Sequence, residues 1–362
     1  MKRLVLGILA VAIWCSCTPI RAVRWWQPDL NDSAKFARRE IPRAAAPFRF
    51  IQATGQARYR RLANHIDSML VNSNTNAFMV IRNDSVIYER FAENMDANTR
   101  HPSFSVAKSY IGTLVGIAID KGMIASAEDL VIKYLPELEK NDVRFKRLTI
   151  QHVLDMRSGV DFDEDKQTPF AGIAKLYYGS SLKNQIANLK MKREAGKSFE
   201  YQSINTQLLA AILEKASGEK VPALLAKYLW TPLGAESDAI WSLDDQKTVK
   251  ASCCLNATAA DFAKLGRLYL KKGNWQGKQV VSQKWVSTTT DPATLGKLGY
   301  KNQWWANRGA KATDYRAEGI LGQIVYVNPD NNVIIVRMGN YPNKNLYFNG
   351  FIPKIGRAID QF

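Results

Sequence analysis

Ser105-Val-Ala-Lys108-Ser-Tyr-Ile-Gly112-Thr-Leu-Val-Gly116-Ile-Ala-Ile-Asp-Lys121 is the stretch on which the fold turns. From Val106 onward it is apolar nearly all round, which predicts a buried helix at the centre of a core. Gly112 and Gly116 let a neighbouring element approach that helix closely. Two polar residues stand at its first turn. Residues i and i+3 share a helix face, so Lys108 can lie beside the Ser105 hydroxyl. The bland alternative is a helix-capping serine with a lysine reaching solvent, and a lysine within so apolar a helix argues against it.

The flanking patterns supply the rest of the architecture. Upstream, Phe78-Met-Val-Ile81, the turn residues Asn83-Asp84 and Val86-Ile-Tyr88 predict a β-hairpin. Downstream, helical patterns run over 148–157, 182–191, 204–216 and 221–229, with Gly218 as the C-cap of the third. A helix over 259–270 with Thr258 as its cap follows Asp238-Ala-Ile-Trp241. Strand patterns return at 303–306, 323–327 and 333–338, with a turn at 328–332 and a closing helix at 351–362. An isolated hairpin is barely stable in water, so the early hairpin and the late strands are expected to share one sheet. The fold class is therefore α/β: an antiparallel sheet flanked by helices, with a helical lobe of about 105–235 inserted and a cleft between the lobes. Residues 1–20 read as a signal or lipoprotein segment, 21–60 as a polar, Arg-rich extension outside the core, and 61–362 as the catalytic domain.

Composition narrows the function. The chain has 362 residues, 46% hydrophobic and 23% charged, which excludes disorder, collagen-like repeats and coiled coils. Fifty Lys and Arg against 33 Asp and Glu give a net charge of +17, suited to an anionic neighbourhood. The basic residues are scattered and no nucleic-acid signature accompanies them, so no nucleic-acid partner is expected. His65, His101 and His152 are the three histidines, none at metal-ligand spacing, so no metal site is expected. Cys253 and Cys254 are adjacent; sequence neighbours form only a strained bridge, so two buried thiols are expected.

Met1-Lys2-Arg3, the apolar run from Leu4 to Trp14 and Cys15-Ser-Cys17-Thr-Pro19 describe a secretory signal. The stretch resembles a bacterial lipoprotein signal, which implies cleavage before Cys17 and acylation of that residue. A cleaved secretory form and an uncleaved anchor remain the alternatives. Arg21-Ala-Val-Arg24-Trp25-Trp26 can lie on lipid headgroups or pack onto the domain. The expected location is the cell envelope, on the periplasmic side, with membrane association through this N-terminus.

The chemistry of Ser105 and Lys108 has a physical basis. The positive end of the helix dipole and burial both disfavour a charged ammonium, so the lysine pKa falls. A neutral amine can then take the serine proton, and the N–H groups at the helix start can stabilise an oxyanion. Ser180-Ser-Leu-Lys183 and Ser217-Gly-Glu-Lys220 share the spacing but not the setting. Tyr201, in Glu200-Tyr-Gln-Ser203-Ile-Asn205, stands at the entry to another helix, where a phenol can relay a proton.

Ser105-x-x-Lys108 followed by Ala195-Gly-Lys-Ser-Phe-Glu-Tyr201 resembles the serine β-lactamase and penicillin-binding superfamily. Leu148-Thr-Ile-Gln-His-Val-Leu-Asp-Met-Arg-Ser-Gly159, Leu229-Trp-Thr-Pro-Leu-Gly-Ala235, Ala257-Thr-Ala-Ala-Asp-Phe-Ala263 and Gln303-Trp-Trp305 agree with it in order. The nearest branch is the class C-like group that includes esterases and 6-aminohexanoate-dimer hydrolases. The resemblance implies a β-lactamase/transpeptidase-like fold, no cofactor, and Ser105 as acylated nucleophile, Lys108 as base and Tyr201 as proton relay.

Two departures shape the expected substrate. Tyr201-Gln-Ser203 replaces the usual Tyr-x-Asn, and Gly319-Ile-Leu-Gly322-Gln323 replaces the usual Lys/His-Thr-Gly, so the carboxylate-binding cation is missing. The expected oxyanion donors are the N–H groups of Ser105 and Gln323, and the expected substrate contacts are Ser203, Gly322 and Trp305. The reading is an envelope serine hydrolase that forms an acyl-enzyme and cleaves a small ester or linear amide. A β-lactamase or D-Ala-D-Ala carboxypeptidase, and a catalytically idle scaffold that binds an envelope ligand, remain alternatives. A Ser-His-Asp triad has no obvious acidic partner for His101 or His152, and the Gly-x-Ser-x-Gly of α/β-hydrolases is absent.

Overall fold

The computed structural model describes residues 18–25, 27–166, 168–294, 299–306, 313–340 and 350–362. Cys17, Trp26 and the preceding signal stretch lie outside them. Its strands are β1 (Ala37–Ile41), β2 (Ile51–Gln52), β3 (Thr75–Arg82), β4 (Ser85–Phe91), β5 (His101–Pro102), β6 (Ala239–Leu243) and β7 (Leu255–Ala257). They continue with β8 (Asn274–Trp275), β9 (Lys278–Gln279), β10 (Tyr300–Lys301), β11 (Trp304–Ala306), β12 (Tyr315–Gly319), β13 (Gln323–Asn328) and β14 (Val333–Gly339). The α-helices are α1 (Thr18–Trp25), α2 (Arg60–Leu70), α3 (Val106–Asp120), α4 (Ile150–Leu154), α5 (Gly172–Tyr178) and α6 (Leu182–Ala187). After them come α7 (Ser203–Ser217), α8 (Val221–Leu225), α9 (Ala259–Leu270), α10 (Gln283–Thr290) and α11 (Ile352–Arg357).

The main sheet runs β10-β11-β12-β13-β14-β3-β4-β2. The early hairpin thus joins the C-terminal strands through the antiparallel β14–β3 pair. Asn83 and Asp84 both take positive φ, 51° and 61°, the conformation a tight two-residue hairpin turn requires. One expectation needs adjustment: β2 runs parallel to β4, so the sheet is not antiparallel throughout.

Alternation along β3 explains why five consecutive residues are buried. Ala77, Met79 and Ile81 face the core shared with α3 and α9, while Phe78 and Val80 face a second cluster with α2 and α11. A strand covered on both faces reads as a continuous apolar run.

Residues 101–118 are all buried except Ser105. The tight packing of α3 uses both glycines: a Cβ at Gly112 would lie 2.4 Å from the Asn302 carbonyl oxygen, and one at Gly116 2.5 Å from the Trp285 ring.

The 21–60 segment corrects the sequence reading. Its β1 pairs antiparallel with β6 in a second sheet ordered β1-β6-β7-β5, and Ile41 and Phe50 belong to the main core. Periodicity missed this because β1, Ala-Arg-Arg-Glu-Ile, exposes four of its five residues and binds mainly through its backbone. Within the same sheet, β5 ends at Pro102, and Ser103 directly after it leads into the turn that carries Ser105.

Candidate active site

The first turn of α3 places Ser105 and Lys108 on one face, with Lys108 Nζ 2.7 Å from Ser105 Oγ. The same nitrogen donates to the Ser252 carbonyl oxygen at 3.0 Å. Lys108 is 2% exposed. Burial lowers its pKa to about 8, although the nearby Glu164 carboxylate opposes the shift. An amine poised there is neutral in a large fraction of molecules near pH 8, which is the form able to accept a proton.

Tyr201 completes the cluster. Its ring lies under the lysine, with Nζ 5.1 Å from the ring centroid, and its phenol bonds to Ser105. Burial, countered by that bond, holds the phenol well above its ordinary pKa, so it is a proton carrier in its neutral form. Trp305 stacks on Tyr201 at 5.6 Å between centroids.

Ser105 opens into a cavity of about 500 Å³, within the size range of small-molecule sites. Phe104, Tyr201, Ser203, Ser252, Cys253 and Ile320 are among its lining residues. Of the expected substrate contacts, Ser203 lines this cavity, whereas Trp305 and Gly322 do not. Trp305 instead backs Tyr201, and the Gly322 carbonyl accepts from Arg337 Nη1 at 2.8 Å.

Gln323 is not among the residues that line the cavity. It pairs with Gly319 across the β12–β13 corner, and its buried side chain donates to the Ile320 and Gly339 carbonyls. The residue of this corner that faces the cavity is Ile320. Gly319 makes the approach feasible: a Cβ there would lie 2.6 Å from Ser103 O and 2.9 Å from the Ser105 nitrogen. Arg337, wholly buried, holds the corner from behind through the Leu321 and Gly322 carbonyls at 3.0 and 2.8 Å.

Glu164 was not singled out in the sequence. Its carboxylate accepts from Ser203 N at 2.8 Å and Ser203 Oγ at 2.6 Å, so Ser203 is engaged rather than free. Desolvation raises its pKa, with Lys108 opposing. Glu164 sits in the acidic run Asp161-Phe-Asp-Glu-Asp165, which has neither periodicity nor motif to mark it.

Cys253 and Cys254 are joined in a disulfide and are not two thiols. The turn that carries them, with Cys254 at φ 72° and Cys253 N bonded to Lys250 O, brings the two side chains together. The histidines stand apart from the cavity. His152 caps α4 against Thr149, His65 stacks on Phe362, and His101 is buried in β5 with its pKa pushed down to about 4 by desolvation. Among the described residues no cluster fit to hold a metal ion occurs.

The family model described as Beta-lactamase matches residues 68–349. A curated relative, the 6-aminohexanoate-dimer hydrolase of Paenarthrobacter ureafaciens, is 28% identical over 323 residues, covering 82% of this chain and 81% of its own. A solved structure from Bacillus anthracis, provisionally assigned as a 6-aminohexanoate-dimer hydrolase, superposes with a TM-score of 0.81 at 23% identity. That match covers 94% of this chain and 95% of the other. A family VIII carboxylesterase gives a TM-score of 0.66 at 15% identity, covering 83% and 96%. At these identities the two structures speak for the fold alone. The family match spans most of the chain and includes the Ser105, Lys108 and Tyr201 cluster, so this chain belongs to the Beta-lactamase family of serine hydrolases.

Proposed function

We propose that this protein is an envelope serine hydrolase that acylates Ser105 and turns over esters or linear amides in preference to β-lactams. The observation that carries the reading is the buried amine of Lys108, 2.7 Å from a hydroxyl that alone in its segment reaches the cavity. Neutral Lys108 takes the Ser105 proton as Oγ attacks the substrate carbonyl. The resulting oxyanion is met by the Ser105 N–H and, on the opposite side, by the N–H of Ile320. Collapse expels the alcohol or amine, which takes its proton through Tyr201 and Lys108. Water, activated by the same pair, then frees the acid and restores Ser105.

The substrate preference follows from charge. Superfamily members meet a substrate carboxylate with a Lys or His on the third motif, where this chain has Ile320-Leu321. Arg316 is tied to Glu318 at 2.6 Å and does not line the cavity, and Lys311 lies outside the described residues. Glu164 and Asp165 line the cavity, and Lys166 on its wall is paired with Asp163 at 2.9 Å. Losing one charge-assisted hydrogen bond forfeits about 1.5–3 kcal/mol, or roughly one to two powers of ten. Comparing kcat/KM for p-nitrophenyl butyrate and a chromogenic cephalosporin tests this. The ester is expected to win by at least tenfold, and a cephalosporin preferred tenfold would refute the preference.

The envelope location rests on the N-terminal signal. No helix among the described residues is long and apolar enough to cross a membrane; the attachment proposed is an acyl group on Cys17. A mature protein starting at Cys17 and released from membranes by detergent but not by salt is the expected result. An intact mass with an unmodified N-terminus would overturn it.

A further inference from the structure

The segment just after the signal forms one wall of the cavity. Ala22, Gln27 and Pro28 line it together with Ser105. Ala22 is buried in one cluster with Phe104, Tyr177, Tyr178 and the bonded pair Cys253–Cys254. Three attachments hold this segment in place. Arg21 reaches both carboxylate oxygens of Asp245, at 3.0 and 2.8 Å. Trp25 packs on Phe36 and Tyr178, with centroids 5.9 and 5.7 Å apart. Asp32, itself 3% exposed, accepts from the Tyr177 hydroxyl at 2.8 Å. Trp25 therefore packs onto the domain.

The helix against which this segment packs is apolar on its cavity side. Ile173, Leu176 and Tyr177 of α5 continue the surface that Phe104 and Ile320 begin beside Ser105. The acidic pair Glu164 and Asp165 also lines the cavity. A hydrocarbon chain suits the cavity that α1 and α5 line together, and an anionic group does not.

We infer that residues 18–25 with Gln27 and Pro28 are a specificity-determining element, closing an apolar acyl pocket that accepts medium-length aliphatic acyl groups and limits their length. This inference rests on the hydrolase reading above. Each methylene buried in such a pocket favours binding by roughly fourfold, so chain length should be read strongly until the wall is reached. It also follows that processing must keep this segment: cleavage beyond Ala22 would remove part of the pocket.

The test is the ratio of kcat/KM for p-nitrophenyl octanoate to that for the butyrate, measured on the full chain. The wild-type ratio is expected to exceed ten. Ala22→Phe, which fills the pocket from α1, should lower that ratio at least tenfold. Gln27→Trp does so from an exposed position that tolerates a large side chain, and it covers the case in which Ala22→Phe fails to fold. Val23→Phe is the control, since Val23 is exposed on the same helix and is not a lining residue; it should leave the ratio where it was. A ratio unchanged in Gln27→Trp and in folded Ala22→Phe would overturn the inference, as would a wild-type ratio near one. If the wild type hydrolyses neither ester and Ser105 resists a fluorophosphonate, the hydrolase reading itself fails, which is a separate result.

Discussion

Ser105 sits between two unlike pieces of chain. On one side, the first turn of α3 sets Ser105 against Lys108 by helix geometry alone, three residues apart inside a buried helix. On the other, the corner from Gly319 to Gln323 owes its position to distant residues. It depends on a missing Cβ beside Ser103 and Ser105, on Arg337 from β14, and on Gln323 bonded to Gly339. A locally fixed pair should fail all at once when one member is lost. A remotely braced corner should fail by degrees, since several contacts share the task.

The largest expected effect is therefore on the helix side. Lys108→Ala should lower kcat/KM by about a thousandfold, within the usual range for losing a general base. Adding Tyr201→Phe should cost little more, because both act on one proton path; multiplicative losses would separate them. The sign of the pH dependence follows from the amine. Burial lowers the Lys108 pKa to about 8, and the neutral form is the active one. Activity should therefore fall about tenfold per pH unit below 8 and level off above it. A profile flat from pH 6 to 9 would remove Lys108 as the base.

The corner should respond more mildly. Gly319→Ala places a methyl 2.6 Å from Ser103 O, an overpacking expected to cost about 1–3 kcal/mol. It should lower kcat some ten- to hundredfold while Ser105 still reacts, more slowly, with a covalent probe. Complete loss of labelling would show that this corner shapes the nucleophile turn and not only the oxyanion side. The smallest effect belongs to Trp305→Leu. This change removes a stacked ring behind Tyr201, worth about 0.5–1.5 kcal/mol, and should slow turnover by no more than about tenfold with KM unchanged. A rise in KM alone would return Trp305 to the substrate contacts.

The same division explains what could be read from the chain. Features set by neighbours in sequence were legible. Helix α9 spans the expected 259–270, with Thr258 accepting from Asp261 N, and Gly218 ends α7 at φ 74°. The hairpin at Asn83-Asp84 and the burial of Lys108 belong to the same class. Features set across the fold were not. Which residue of the 319–323 corner lines the cavity, Ile320, depends on how β12 and β13 meet, and that is a matter of register. β1 binds through its backbone and so carries no apolar alternation. Glu164 matters through Ser203, 39 residues away, and the bond between Cys253 and Cys254 depends on a turn that thiol spacing does not reveal.

The central claim is that Ser105, activated by Lys108, is the residue that becomes acylated. Labelling with a fluorophosphonate, followed by mapping of the modified peptide, tests it most directly. One adduct is expected, on Ser105. It should be absent from Ser105→Ala and retained in Ser180→Ala and Ser217→Ala, whose serines share the Ser-x-x-Lys spacing but stand outside the cavity. Stoichiometric labelling that persists in Ser105→Ala would contradict the account.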